Sequence, residues 1–333
     1  MDAIKSLDIR SFISSSVSEV FDTMLSMKVQ PSEAVPAVDF TGGAIVGSVS
    51  FAGVVMGNVS LRLRNDFARI LTAAMLGMES EEIDGEEQVK DVIAEMSNMI
   101  GGGLKSRLCD SGFACELSIP SVTEGREFRI ESMNWARSEM FAFLHNEHAL
   151  ILDVYMKPSD KLLIEKVREG IMTEISSLDL KSFISTALSE MFEKMLSMKV
   201  MVADAKPQTT VKGNRIVGSV SFAGELLGSI CIYVSREFAN FITAAILGME
   251  PGTAQGDEEI YDVIGEVSNI VGGSLKSRFC DSGLPCELSI PSITSGSDFH
   301  IESMNWARCE RYIFGNKDHA GIVEVFIKKA VKT

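Results

Sequence analysis

The sequence predicts an α+β fold written twice, each copy a mostly antiparallel sheet backed by helices. Three observations carry this expectation. The chain repeats itself at a fixed offset, its β patterns run together as hairpins, and its helical patterns lie apart from them. Regular βα alternation, the mark of a doubly wound parallel sheet, is missing.

The 333 residues suit about two domains at roughly 100–200 residues each. LDIRSFISSSVSEVFDTMLSMKV from Leu7 returns as LDLKSFISTALSEMFEKMLSMKV from Leu178. IVGSVSFAG occurs at Ile45 and Ile216, and ESMNWAR at Glu131 and Glu302. DVIAEMSNMIGGGLKSRLCDSG at Asp91 returns as DVIGEVSNIVGGSLKSRFCDSG at Asp262. A repeat this long is a whole-domain duplication. It predicts domain 1 over 1–158, domain 2 over 178–333, and two similar halves about a pseudo-twofold axis, as in a homodimer joined into one chain. The connection, 159–177, is charged with apolar residues at helical spacing and predicts a helical linker weakened at Gly170.

Each element follows from its pattern. Phe12, Ile13, Val17, Phe21, Met24 and Leu25 fall at helical steps and predict an amphipathic helix within 7–29. Residues 44–52 and 56–64 are β-rich and predict a hairpin. A second helix over 66–77 ends at Gly77. ESEEIDGEE, Glu79 to Glu87, reads as a solvated loop before a long helix from about Glu86 to Asp110. Short β patterns follow at 114–121, 127–136, 138–144 and 149–156.

Composition narrows the function. A formal charge of −15 and a pI near 4.8 argue against nucleic acid and anionic membranes, which select clustered Lys and Arg. The longest apolar runs are too short to span a bilayer. The N-terminal MDAIKSLDIRSFISSS has no apolar core and does not read as a secretory signal. Six cysteines are too few for a disulfide scaffold and lack zinc-ligand spacing, so they read as reduced, mostly buried thiols of a cytoplasmic protein. The four histidines are scattered; the equivalent pair His148 and His319 reads as structural or surface. Trp135 and Trp306 read as core or interdomain packing. Phosphate-binding loops, a nucleophile elbow and zinc-protease motifs are missing from the sequence.

On the long helix, Val92, Ile93, Met96, Met99, Ile100 and Leu104 share one side at ~100° per residue. Asp91, Glu95, Asn98, Gly102 and Lys105 share the other, matched by Asp262, Glu266, Asn269, Gly273 and Lys276. Glu95 and Asn98 are therefore neighbours, ~5–6 Å apart at Cβ. Asn98 is followed by three glycines and Asn269 by two, each costing about 1 kcal/mol in a helix interior. Two readings account for them: close packing within the domain, or a helix left bare at Gly102 so that another backbone can approach the Glu/Asn pair.

D-x3-E-x2-N, then Gly-Gly, L-K-S and C-E-L-S-I-P-S, together resemble the CheC/CheX family of chemotaxis phosphatases, and CheX most closely. The resemblance covers nearly all of each repeat, with Pro120 and Pro291 some twenty residues past the Asn. It implies two tandem CheX-like domains. It also implies a phosphatase that hydrolyses the aspartyl-phosphate of a CheY-like receiver domain in two-component signalling. By the same resemblance Glu95 and Glu266 pair with the receiver's lysine, and Asn98 and Asn269 orient the attacking water. Asp91 and Asp262 match the family's leading Asp/Ser position, and with Gly102 and Gly273 they are the expected partner-docking residues, although the family often has Gly-Asn where this chain has Gly-Gly or Gly-Ser. Mg²⁺ would belong to the receiver, with no metal or cofactor bound by this chain. Because CheX is commonly a single domain that dimerises, a monomer holding an internal pseudo-dimer is expected. The alternative is a non-catalytic binding module or adaptor for a receiver or a flagellar-switch component.

Overall fold

The structure, a computed structural model, describes residues 2–33, 43–83, 85–159, 174–206, 209–250 and 256–330. It divides into two compact units. One comprises Met1–Glu127, Trp135–Leu162 and Phe299–Asn305; the other comprises Phe128–Asn134, Leu163–Asp298 and Trp306–Thr333. Most of the predicted helical linker lies outside the described residues; Ile175–Ser177, at its end, form a 3-10 turn.

In the first repeat the helices are α1 (Asp2–Lys5), α2 (Ile9–Met24), α3 (Asn65–Leu76) and α4 (Glu86–Asp110). The strands are β1 (Gln30–Ser32), β2 (Ala44–Gly53), β3 (Val55–Arg64), β4 (Cys115–Leu117), β5 (Ser121–Ser132), β6 (Arg137–His145) and β7 (His148–Pro158). Strand order is β1-β6-β7-β3-β2-β5, antiparallel throughout, with β4 also on β2. The predicted hairpin forms with Ser48 opposite Ser60. The pattern read as one strand over 114–121 splits into β4 and the start of β5, because Ser118 to Pro120 leave the ladder.

The second repeat has α5 (Leu180–Leu196), β8 (Met201–Asp204), β9 (Arg215–Gly224), β10 (Leu226–Ser235), α6 (Arg236–Leu247) and α7 (Asp257–Asp281). It continues with β11 (Cys286–Leu288), β12 (Ser292–Ser303), β13 (Arg308–Gly315) and β14 (Ala320–Lys329). Its order, β8-β13-β14-β10-β9-β12 with β11 on β9, repeats the first.

Local chemistry explains the element ends. Ser11 N and Ser182 N donate to the Asp8 and Asp179 carboxylates, each at 3.0 Å, capping α2 and α5. Gly77 and Gly248 close α3 and α6 at φ +66° and +65°. Glu79 to Glu87 is not all loop: Ser80–Glu82 form a 3-10 turn closed by reciprocal Glu79 and Glu82 caps, and Glu86 opens α4.

Ile13, Val17 and Phe21 on α2 are buried against Ile93, Ile100 and Leu104 on α4 and Val49, Phe51, Leu61 and Leu63 on the strands. Ile184, Leu188, Phe192, Ile264, Val271, Leu275 and Phe222 fill the second core. His148 and His319 stack on Phe67 and Phe238, with ring centroids 4.8 and 5.0 Å apart, so this pair is structural as expected. The tryptophans are not core. Trp135 and Trp306 are 48% and 47% exposed, each beside one aromatic ring, Tyr155 and Phe326. The repeated ESMNWAR instead turns the chain, with Asn134 and Asn305 at φ +56° and +57°. Its arginines, Arg137 and Arg308, donate to the Ile4 and Ile175 carbonyls.

The glycines of α4 divide the two readings between them. A Cβ on Gly101 would lie 2.4 Å from Val49 Cγ1, and one on Gly272 would lie 2.5 Å from Val220 Cγ2. Gly102 and Gly273 have nothing within 4 Å of that position. Gly101→Ala and Gly272→Ala should therefore each lose about 1–3 kcal/mol to overpacking. Gly102→Ala and Gly273→Ala should each gain up to about 1 kcal/mol of helix propensity. Urea denaturation checks this contrast: midpoints should fall for the first pair and rise for the second.

Candidate functional site

The site begins with the way α4 and α7 sit on the sheet. Ser97 Oγ and Ser268 Oγ donate back to the Ile93 and Ile264 carbonyls at 2.7 and 2.8 Å, which satisfies both hydroxyls inside the core. They press on Gly47 and Gly218, where an added Cβ would come within 2.1 Å of the serine oxygen. One turn on, Gly101 and Gly272 meet Val49 and Val220. The helix thus touches its strand at i and i+4, and this fixes its rotation.

That rotation leaves Asp91, Glu95, Asp262 and Glu266 exposed. Asn98 and Asn269 lie at the edge of the face and are half-buried, as are Gly102 and Gly273. Met99 and Ile270, on the other flank, are also only half-buried. The Glu and Asn side chains in both repeats have no hydrogen-bond or ion-pair partner among the described residues. An amide left in this state can both donate and accept, and a carboxylate offers up to four acceptor sites.

Neighbouring charges are paired off. Lys105 Nζ bonds Glu116 Oε2 at 2.5 Å, and Lys276 bonds Glu287. Arg107 and Arg278 reach Glu19 on α2 and Glu190 on α5 at 3.6 and 3.7 Å. Near the helix start the repeats differ. Lys90 pairs with Glu124 at 3.2 Å, whereas Tyr261 Oη and Ser295 Oγ share a hydrogen bond of 2.6 Å at the same two positions.

Sequence reasoning missed a surface beside the second Glu/Asn pair. Met195, Ile246, Val267 and Ile270 line a shallow hollow of about 230 Å³, with the exposed Asp262 and Glu266 also on it. Met195 comes from the end of α5 and Ile246 from the end of α6, so only the tertiary fold brings these residues to the pair. Among the described residues no cluster of His, Cys, Asp and Glu could hold a metal ion. No described helix is long and apolar enough to cross a membrane.

The fold and these faces define a tandem α+β protein that presents the same carboxylate–amide pair on each of two long helices. A family profile described as chemotaxis phosphatase CheX matches residues 45–144 and 216–314, and the chain belongs to that family. Among solved structures, CheX from Vibrio vulnificus is 22% identical with a TM-score of 0.40, covering 45% of this chain and 97% of its own. A CheC-like superfamily protein from a Shewanella species is 23% identical with a TM-score of 0.40, covering 46% and 99%. A CheX–CheY–BeF3–Mg complex from Borrelia burgdorferi is 19% identical with a TM-score of 0.33, covering 45% and 98%. No curated protein matches the chain.

The helix rotation predicts a labelling pattern. Cysteine placed by Glu95→Cys or Glu266→Cys should react with a maleimide at the rate of an exposed thiol. Cysteine placed by Ser97→Cys or Ser268→Cys should react on the order of 10²-fold more slowly, since labelling there needs local opening. Peptide mapping of the labelled chain separates these sites from the native cysteines.

Proposed function

We propose that the chain is a phosphatase for the aspartyl-phosphate of a CheY-like receiver domain, with one site on α4 and an equivalent one on α7. The observation that carries this reading is the pair Glu95/Asn98, repeated as Glu266/Asn269, held outward and unpartnered on a helix bare at Gly102 and Gly273. Membership of a chemotaxis phosphatase family supports it.

The chemistry asks little of the protein. An acyl phosphate is already reactive, so positioning a water in line with phosphorus is the main contribution. The Asn98 amide donates to one oxygen and accepts from the water, where a carboxylate would repel the phosphoryl group. Glu95 fixes the docked pose by a charge-assisted bond to the receiver's lysine. The Mg²⁺ that neutralises the phosphoryl oxygens belongs to the receiver, and no metal on this chain enters the reaction. Asp91 and Asp262 lie one turn before the glutamates and bear on docking. A receiver substrate of this kind places the reaction in the cytoplasm.

Substoichiometric chain mixed with phosphorylated receiver and Mg²⁺ should release phosphate over many turnovers. Asn98→Ala combined with Asn269→Ala should lower that rate by roughly 10²-fold or more, the scale for losing a positioned proton or water contact. Either change alone should leave about half the activity. A double variant as active as the parent would sink the site assignment. Stoichiometric protection of the phosphoryl group without turnover would identify a binding module instead.

A further inference from the structure

Each repeat carries a second duplicated feature that the phosphatase reading does not use. The long helix runs into Cys-Asp-Ser-Gly, and a second cysteine follows three residues after the glycine: Cys109 with Cys115, and Cys280 with Cys286. The turn between them is tightly specified. Gly112 and Gly283 take φ +88° and +80°. Phe113 N and Leu284 N return to the Leu108 and Phe279 carbonyls at 2.8 and 2.9 Å. This reverses the chain and brings the second cysteine back against the first. The second cysteine is then fixed by strand pairing, Cys115 opposite Gly53 and Cys286 opposite Gly224. At both glycines a Cβ would come within 2.7 Å of the cysteine Cα, so the strand admits no slack.

The sulfurs are therefore held together. Cys109 Sγ lies 3.9 Å from the Cys115 carbonyl and Cys280 Sγ 4.0 Å from the Cys286 carbonyl, and the thiols of each pair share a hydrogen bond. Their exposures differ. Cys109 is exposed and Cys280 half-buried, while Cys115 and Cys286 are buried. An accessible thiol in contact with a buried one is the arrangement of an attacking and a resolving cysteine.

We propose that Cys280 with Cys286, and Cys109 with Cys115, are peroxide-reactive dithiols that close to one disulfide within each repeat. The Cys280 thiolate attacks one oxygen of hydrogen peroxide; an S–O bond forms, the O–O bond breaks, and hydroxide leaves. The Cys286 sulfur then attacks the resulting sulfenic acid; the S–S bond forms, the S–O bond breaks, and the hydroxyl departs as water with the Cys286 proton. Two thiols are oxidised by two electrons, and the peroxide is reduced to two waters, the hydroxide taking up the proton that Cys280 released on ionising. The hydrogen bond from Cys286, aided by nearby Lys276, lowers the Cys280 thiol to about 6, so the attacking form is populated at neutral pH. Burial pushes Cys115 up to about 12, and the hydrogen bond with Cys280, reinforced by burial, raises Cys286, which keeps the resolving sulfurs protonated until they are needed. Cys309, at about 11, and the buried Cys231 have no such pairing and serve as internal controls.

The test uses the full chain, reduced and freed of reductant, exposed to hydrogen peroxide and mapped as non-reduced peptides. The expected products are the Cys280–Cys286 and Cys109–Cys115 cross-links, each two hydrogens lighter than its dithiol and reversed by dithiothreitol. They should form roughly tenfold or more faster than any oxidation of Cys231 or Cys309. In a Cys286→Ser chain, dimedone should trap sulfenic acid on Cys280. Four thiols left intact under peroxide, oxidation of Cys309 as fast as that of the paired cysteines, or cross-links joining other cysteines would overturn the proposal. The parent-chain map decides this even if the serine variant fails to fold.

Discussion

The close approach of one helix to one strand governs both repeats. Gly47 and Gly218 leave room for a serine hydroxyl at the first contact, and Gly101 and Gly272 leave room for a valine methyl at the second. Two contacts four residues apart on a helix fix its rotation as well as its distance, because both must face the sheet at once. Everything outward on α4 and α7 follows from what is pressed inward. Glycine in a helix interior costs about 1 kcal/mol, and the packing on Val49 and Val220 offsets it at the first glycine of each run. At Gly102 and Gly273 no packing offsets it.

Comparing the repeats shows which contacts are interchangeable. The Lys90–Glu124 ion pair becomes the Tyr261–Ser295 hydrogen bond, so both partners change together and neither buried group is stranded. The buried Asp153, paired with Arg62 at 3.4 Å, is matched by Glu324, which hydrogen-bonds Tyr233 and pairs with Arg311 at 2.9 Å. A polar group inside the sheet must keep some partner, and more than one chemistry supplies it. The helix–strand contact offers no such freedom, since a serine against a glycine has one geometry.

Most of the fold was legible because its signals are local. The duplication needs only the sequence, the long helix runs from Glu86 to Asp110 as its periodicity predicts, and the two β-rich runs, 44–52 and 56–64, pair as a hairpin. The edge strands Gln30–Ser32 and Met201–Asp204 were not legible, because runs of three or four residues are too short to show a period and become strands only through their neighbours β6 and β13. The outward side of α4 was legible in kind. A helical wheel puts Asn98 opposite the apolar stripe, but the strand contact tips the helix so that Asn98 and Asn269 are half-buried. The tryptophans misled for a related reason. Their repeated motif is conspicuous, yet its constrained parts are Asn134 and Arg137, and the ring lies outside. The hollow beside Glu266 joins residues from three helices, and no window of sequence contains it.

On the proposed reading, the sparseness of the site becomes intelligible. A self-contained hydrolase needs a pocket, perturbed titratable groups and a shell of hydrogen bonds that locks its rotamers. Glu95 and Asn98 have no partner of their own among the described residues. Their positions come from the backbone of a helix clamped at Ser97 and Gly101, so precision resides in the scaffold and the side chains stay free to engage another surface. The phosphoryl group, the cation and the lysine would all arrive with the substrate protein. Catalysis would then be a property of the complex, and half of the active site would be contributed by the molecule being acted on.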